Sequence, residues 1–191
     1  MSAPKIESVT TVYEGWGRLL KVDVASPQDG RRFTREVEDH GDAVAVLAYD
    51  PGRKTALLVR QLRVPMLLTA GEPDGLEAIA GLLDGDEPAD CARREADEEA
   101  GLALSVLDPV AVIWSMPGIS TERIHLFLGS YSAPDRRGSG GGLAAENENI
   151  TVSEMPLSAL ASMADEGRLQ DAKTMLLVQT LRLRRPDLFA P

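Results

Sequence analysis

The sequence predicts an α/β fold, a sandwich of helices around a mixed sheet, preceded by a small antiparallel β-meander. Three observations carry this expectation. Strand-length apolar runs lie on both sides of a single helical stretch ending at Gly101. Two further helical stretches close the chain. The first forty residues are short alternating segments around a tight turn, with too little apolar surface for a core of their own.

The elements follow in order. Ser8–Val12 and Arg18–Ala25 alternate and read as strands. Ser26-Pro27-Gln28-Asp29-Gly30 is a turn, and Arg32–Glu38 is the returning strand. Asp42–Tyr49 (DAVAVLAY) and Thr55–Gln61 (TALLVRQ) are apolar strands joined into a hairpin by Asp50-Pro51-Gly52-Arg53-Lys54. Gly71–Gly75 is a loop, and Leu76–Ala80 a short strand leading into the helical stretch. There Asp86 is placed to cap the helix, Pro88 suits its first turn and Gly101 its C-terminal cap. Ser105–Trp114 reads as strand with Pro109 as an interruption, Arg123–Tyr131 as strand, Arg136–Glu148 as a glycine-rich loop and Asn149–Met155 as the last strand. Helices near Pro156–Glu166 and Gln170–Arg184 follow, with Arg182, Arg184 and Arg185 favouring the dipole of the second.

With 191 residues and 43% hydrophobic content, the chain has the profile of one globular unit with a full core. A net charge of −10 argues against sequence-independent nucleic-acid binding, which needs Lys and Arg to neutralise phosphates. It also means that an anionic substrate needs local positive charge or metal. The single cysteine, Cys91, excludes an intrachain disulfide and reads as a small buried side chain. There is no N-terminal apolar leader and no run of membrane-spanning length, so a cytoplasmic protein without membrane partners is expected.

The chemistry concentrates in Ala80–Leu102, AGLLDGDEPADCARREADEEAGL. Glu95, Glu98 and Glu99 stand at helical spacings that put them on one face. Ala89, Ala92, Ala96 and Ala100 recur on another, where small side chains let a helix lie close to a sheet. Clustered carboxylates without Lys suit Mg²⁺ or Mn²⁺. A structural charge network, with Arg94 pairing Glu98 at i,i+4, has the same spacing, and the residues alone leave both readings open. A second acidic cluster, Glu146-Asn147-Glu148-Asn149, stands at the end of the glycine-rich loop. It reads either as solvated loop or as a second source of carboxylates.

Arg94–Leu102 also resembles the R-E-U-x-E-E-x-G-U half of the Nudix box, U being apolar, with Ala96 at the first U. The front half departs from that pattern. Arg94 follows Gly81 one residue early, so the first glutamate's place falls on Glu87 or on Asp86. The shortened AGLLDGDEP followed by Cys91 is similar to the GDP-mannose pyrophosphatase branch of the Nudix superfamily, and the similarity extends from the meander to Asp171-Ala172-Lys173-Thr174.

The resemblance implies a Nudix domain over 41–191 and a meander over 1–40 that packs across a homodimer. It implies Glu95, Glu99, Glu148 and the Ala80 carbonyl as metal ligands, and Glu146 as the base. Glu98 is either a ligand or the partner of Arg94, which orients the carboxylates. It further implies substrate contacts from Arg63 in VRQLRVP, Glu122 in MPGISTERIH, Lys173 in DAKT, Gly81, Leu82, Asn147 and Trp16, with Glu77 a weaker candidate. Thr34, Arg35 and Glu36 stand where the branch has a Lys-Arg-Glu segment, Thr34 replacing the Lys. The activity so implied is metal-dependent cleavage of a nucleoside diphosphate sugar: GDP-mannose to GMP and mannose 1-phosphate, or ADP-ribose to AMP and ribose 5-phosphate. A non-catalytic nucleotide-binding module is the other class. It is disfavoured because Arg94, Glu95, Glu98, Glu99, Glu146 and Glu148 are all present.

Overall fold

The N-terminal alternation becomes three antiparallel strands, β1 (Lys5–Glu14), β2 (Arg18–Ala25) and β3 (Arg32–Asp39), in that order. The register runs from Arg18 opposite Asp39 to Ala25 opposite Arg32, and β1 carries two irregularities. Asp23 ties the three strands together, accepting from Ser8 Oγ and Thr34 Oγ1 at 2.7 Å each. Every residue of β1 is exposed. The computed structural model describes residues 3–143 and 148–190. It divides into two compact units, Met1–Asp42 with Ile113–Ile124, and Ala43–Val112 with His125–Pro191. In the first unit Glu38 donates its N–H to Ile119 O (2.8 Å), and Thr121 N–H donates to Glu38 O (2.9 Å).

The main sheet is mixed and has the order β10-β5-β4-β9-β8. Its centre is β4 (Ala43–Asp50), where Ala43 to Ala48 are buried as an uninterrupted apolar run. β5 (Thr55–Leu62) returns through the expected hairpin, in which the Asp50 carboxylate accepts the N–H groups of Gly52 (2.8 Å) and Arg53 (3.1 Å). Next comes a helix that no sequence signal marks, α1 (Val64–Ala70), with Pro65 in its first turn and Gly71 as a left-handed cap. It buries none of its residues, so no amphipathic period marks it.

The single strand expected over Leu76–Ala80 is two. β6 (Asp74–Glu77) pairs with β5, and β7 (Ile79–Leu82) pairs with β4. The break falls at Ala78, whose N–H donates to Thr174 Oγ1 (2.6 Å) rather than to a neighbouring strand. Then α2 (Pro88–Ala100) lies against β7 and β4. Ala92, Ala96 and Ala100 are fully buried and Ala89 packs at their margin, as the small-residue period requires. Cys91 is buried with them, its Sγ 3.2 Å from Leu82 O, and burial pushes its thiol up to about 11. The cap differs from expectation by one residue. Glu87 is the N-cap, and the Asp86 carboxylate is taken by Arg94 Nε (3.3 Å) instead.

β8 (Val106–Trp114) forms one edge of the sheet, where Pro109 is tolerated, and β9 (Arg123–Ser130) lies inside it. β10 (Thr151–Pro156) closes the other edge against β5. α3 (Leu157–Asp165) and α4 (Ala172–Arg184) finish the second unit. Arg182 and Arg184, expected near the helix end, pair with Asp165 and Asp108 at 2.7 Å each.

Candidate active site

The acidic face of α2 turns inward. Glu95 is 8% exposed and Glu99 1% exposed. Burial drives both carboxyls upward, Glu95 to about 7 and Glu99 to about 8. The Arg94 charge works against this at Glu95, and the Ala80 amide works against it at Glu99. The Glu98 and Glu148 charges raise Glu95 further, and the Glu95 and Glu148 charges raise Glu99 further. Glu99 Oε2 accepts the Ala80 N–H (3.2 Å), and Gln61 Nε2 approaches Oε1 at 3.5 Å. In an antiparallel strand the N–H and C=O of one residue share an edge. The Ala80 carbonyl therefore points from β7 to the side on which Glu99 sits.

Arg94 is the hub of this face. Its guanidinium reaches Glu95 Oε1 (2.9 Å), Glu98 Oε2 (3.0 Å) and Asp86 Oδ2 (3.3 Å). So the i,i+4 pair expected with Glu98 forms, as one arm of a fork holding three carboxylates. Gly81 leaves room for Glu95: a Cβ built there would overlap the Glu95 carboxylate and force that side chain to move. Leu82 follows on β7, and its carbonyl accepts from Cys91 Sγ.

The glycine-rich stretch is part of the helix's frame. Gly141 N–H donates to Glu99 O (3.0 Å), Gly142 N–H to Glu98 O (3.1 Å), and Arg137 N–H to Gly101 O (2.8 Å). These are the carbonyls a helix C-terminus leaves without partners. Gly140, at φ +66°, lies so close to Glu99 O that a Cβ there would overlap it. The stretch then delivers Glu148, whose Oε2 accepts the Leu143 N–H (3.0 Å). Glu146 and Asn147, expected as base and substrate contact, lie outside the described residues.

Beside the carboxylates stands a second network. Glu77, 4% exposed, accepts from Arg63 Nε (2.7 Å), Arg63 Nη2 (2.8 Å) and Lys173 Nζ (2.7 Å). Burial opposes its charge, but the Arg63 hydrogen bonds and the Lys173 charge prevail and hold it down to about 2. Lys173 also meets Asp171 Oδ1 (2.9 Å), the N-cap of α4, and the Glu99 charge reaches Arg63. The structure thus brings Arg63, Lys173 and Glu77 together. Spacing could not show this, because Arg63 and Glu77 stand 14 residues apart on either side of α1 and Lys173 lies 96 residues beyond Glu77.

The remaining expected contacts lie in the first unit. Trp16, 82% exposed, stacks on His40 with ring centroids 5.3 Å apart, and His40 Nε2 is 3.4 Å from Glu122 Oε1. Nothing in the sequence around His40 signals this bridging position between Trp16 and Glu122. Thr34 is spent on Asp23, the Arg35 guanidinium lies over Phe33 (4.6 Å), and Glu36 is exposed on β3.

Among the described residues no three His, Cys, Asp or Glu side chains already converge as a metal cage. The donor chemistry nevertheless fits a hard divalent cation. Two buried carboxylates and a third nearby repel one another, and all offer oxygen ligands.

The NUDIX domain family model matches residues 39–178. The GDP-mannose pyrophosphatase of Cronobacter sakazakii is 45% identical over 155 residues, 80% of each chain. Those of Salmonella arizonae and Pectobacterium atrosepticum are 41% and 40% identical over 154 residues, 80% of this chain and 79% of theirs. Among solved structures, one described as an ADP compounds hydrolase superposes with a TM-score of 0.79 at 19% identity, covering 98% of this chain and 96% of that one. This chain belongs to the Nudix family, as the residues from Arg94 to Leu102 indicated.

Proposed function

We propose that the protein hydrolyses the diphosphate bond of a nucleoside diphosphate sugar, GDP-mannose first, releasing GMP and mannose 1-phosphate. The observation that carries the reading is the pair of buried, mutually repelling carboxylates Glu95 and Glu99. They occur in a chain whose relatives are named GDP-mannose pyrophosphatases.

Nudix enzymes generally require a divalent metal. Here Glu95, Glu99, Glu148 and the Ala80 carbonyl are the residues that would hold it, with Mg²⁺ or Mn²⁺ the fitting ions. When bound, such an ion neutralises phosphate oxygens and makes a water easier to deprotonate. Glu146 takes the proton of the attacking water. Glu98 holds Arg94 in place, and Arg94 orients Glu95. Arg63 and Lys173 receive phosphate oxygens. The backbone of Gly81 and Leu82, with Asn147, lines the diphosphate. Trp16, Arg35, Glu36 and Glu122 contact the nucleoside or sugar, and Trp16 offers an exposed ring for base stacking.

One observation favours ADP-ribose as the second substrate. Thr34, at the place of the branch's lysine, is uncharged and already bonded to Asp23. The meander over 1–40 acts in a homodimer, supported by the exposed Ile6, Val9, Val12 and Tyr13 on β1, while 41–191 forms the hydrolase domain. No described helix is long and apolar enough to cross a membrane, and a cytoplasmic location belongs to this proposal.

The test is to incubate the protein with Mg²⁺ and GDP-mannose, ADP-ribose, ADP-glucose or NADH in turn, following nucleoside monophosphate release. GDP-mannose turning over fastest is expected. ADP-ribose alone turning over would reverse the substrate order, and no turnover of any would refute the enzyme reading.

A further inference from the structure

Glu77 lies beneath two cations that come from opposite ends of the unit, Arg63 just after β5 and Lys173 in the first turn of α4. Its side chain is 6% exposed, against 13% for Lys173 and 38% for Arg63. The carboxylate is therefore the floor of the cluster and the cations are its open side. Both Glu77 oxygens are occupied, Oε1 by Arg63 Nε and Oε2 by Arg63 Nη2 and Lys173 Nζ. Neither cation is used up. A guanidinium has five N–H donors and an ammonium three. Among the described residues Arg63 gives two to Glu77, and Lys173 gives one each to Glu77 and Asp171.

We infer that Glu77 is a positioning residue. It does not touch the substrate, but fixes Arg63 and Lys173 side by side so that their remaining donors form one preorganised diphosphate subsite. This rests on the proposed reading that these cations receive the substrate's phosphates. The physical reason is entropic. Arg and Lys side chains are long and rotamer-rich, and binding an anion with them unrestrained requires ordering both at the moment of binding. A buried carboxylate accepting a two-pronged Arg contact orders them beforehand. It also keeps the like charges of Arg63 and Lys173 from separating.

The test is steady-state kinetics on the full chain with GDP-mannose and Mg²⁺. Glu77→Gln is expected to raise KM about tenfold while kcat stays within about twofold, the signature of lost ground-state binding. In an Arg63→Ala background the same change is expected to add less than about threefold, because only Lys173 is then left for Glu77 to position. An unchanged KM, or effects that simply multiply, would overturn the inference. Should Glu77→Gln fail to fold, Arg63→Lys decides. Positioning by the fork requires it to raise KM nearly as far as Arg63→Ala, whereas a wild-type KM in Arg63→Lys shows that charge alone suffices and refutes the role. If the wild-type protein hydrolyses no nucleotide sugar, the functional reading falls by itself. Calorimetric binding of inorganic pyrophosphate to wild type and Glu77→Gln then reads the positioning directly, weaker binding by the variant upholding it and equal binding rejecting it.

Discussion

Replacing Glu99 with glutamine should stabilise the metal-free protein at alkaline pH while abolishing turnover in the presence of Mg²⁺. Glu99 is 1% exposed, and burial raises its carboxyl from 4.5 to about 8. A carboxyl raised on folding contributes its full stability below pH 4.5 and loses it as pH climbs through about 8, because the unfolded chain ionises first. At about 1.4 kcal/mol per pH unit, the difference between 4.5 and about 8 removes about 5 kcal/mol by pH 9. Glutamine has nearly the same shape and keeps an acceptor for the Ala80 N–H, but has no charge to strand. For a chain of this length each kcal/mol moves Tm by about 2–4 °C, so Glu99→Gln should melt on the order of 10 °C higher at pH 9 in EDTA. The two proteins should melt alike near pH 4. Thermal melts in EDTA across that range, with GMP release from GDP-mannose measured separately in Mg²⁺, read both halves. Coincident melts at pH 9, or a variant that keeps full turnover, would refute the reasoning.

Other expectations follow from the same geometry. Glu146→Gln should lower kcat by about 10²–10⁴ with little change in nucleotide affinity, read by kinetics and calorimetry. An unchanged kcat would remove it as base. Arg94→Lys replaces a fork that reaches Glu95, Glu98 and Asp86 with a single point charge, and should cost about 10–100-fold in activity at constant protein stability, checked by kcat and urea unfolding. Gly140→Ala places a Cβ against the Glu99 backbone at φ +66°, and should destabilise by about 1–3 kcal/mol. An unmoved urea midpoint would show that the glycine stretch does not frame the helix.

Local periodicity determined most of what the sequence could reveal. β2 spans Arg18–Ala25 as read, β4 and β5 differ by a residue at their ends, and the alanine face of α2 is where its spacing put it. α1 escaped because a helix that buries nothing carries no period, and β6 and β7 were merged because the Ala78–Thr174 hydrogen bond that separates them joins residues 96 apart. The site divides the same way. Glu95, Glu98 and Glu99 lie on one element and could be read by counting. The Glu77 network and the bond from Gly141 to Glu99 O depend on which distant segments meet, and no pattern within either segment encodes that.

The arrangement of α2 is unfavourable in three ways at once, and one change relieves them all. Glu98 and Glu99 stand in the last turn of a helix that has no basic residue there, against the sign the helix dipole prefers. Glu95 and Glu99 are buried, and they repel each other and Glu148. A helix selected only for stability would carry lysine at such positions. What the chain supplies instead is partial: Arg94 at one flank, Arg63 at the other, and the amides of Gly141 and Gly142 on the terminal carbonyls. These groups hold the carboxylates in place without neutralising them. The frame keeps its form, and above about pH 8, where both carboxyls ionise, the charge is unbalanced, so added positive charge stabilises the fold without first rebuilding the site. Stability should therefore rise with divalent-cation concentration as binding to the folded state alone requires, and the rise should vanish in Glu99→Gln.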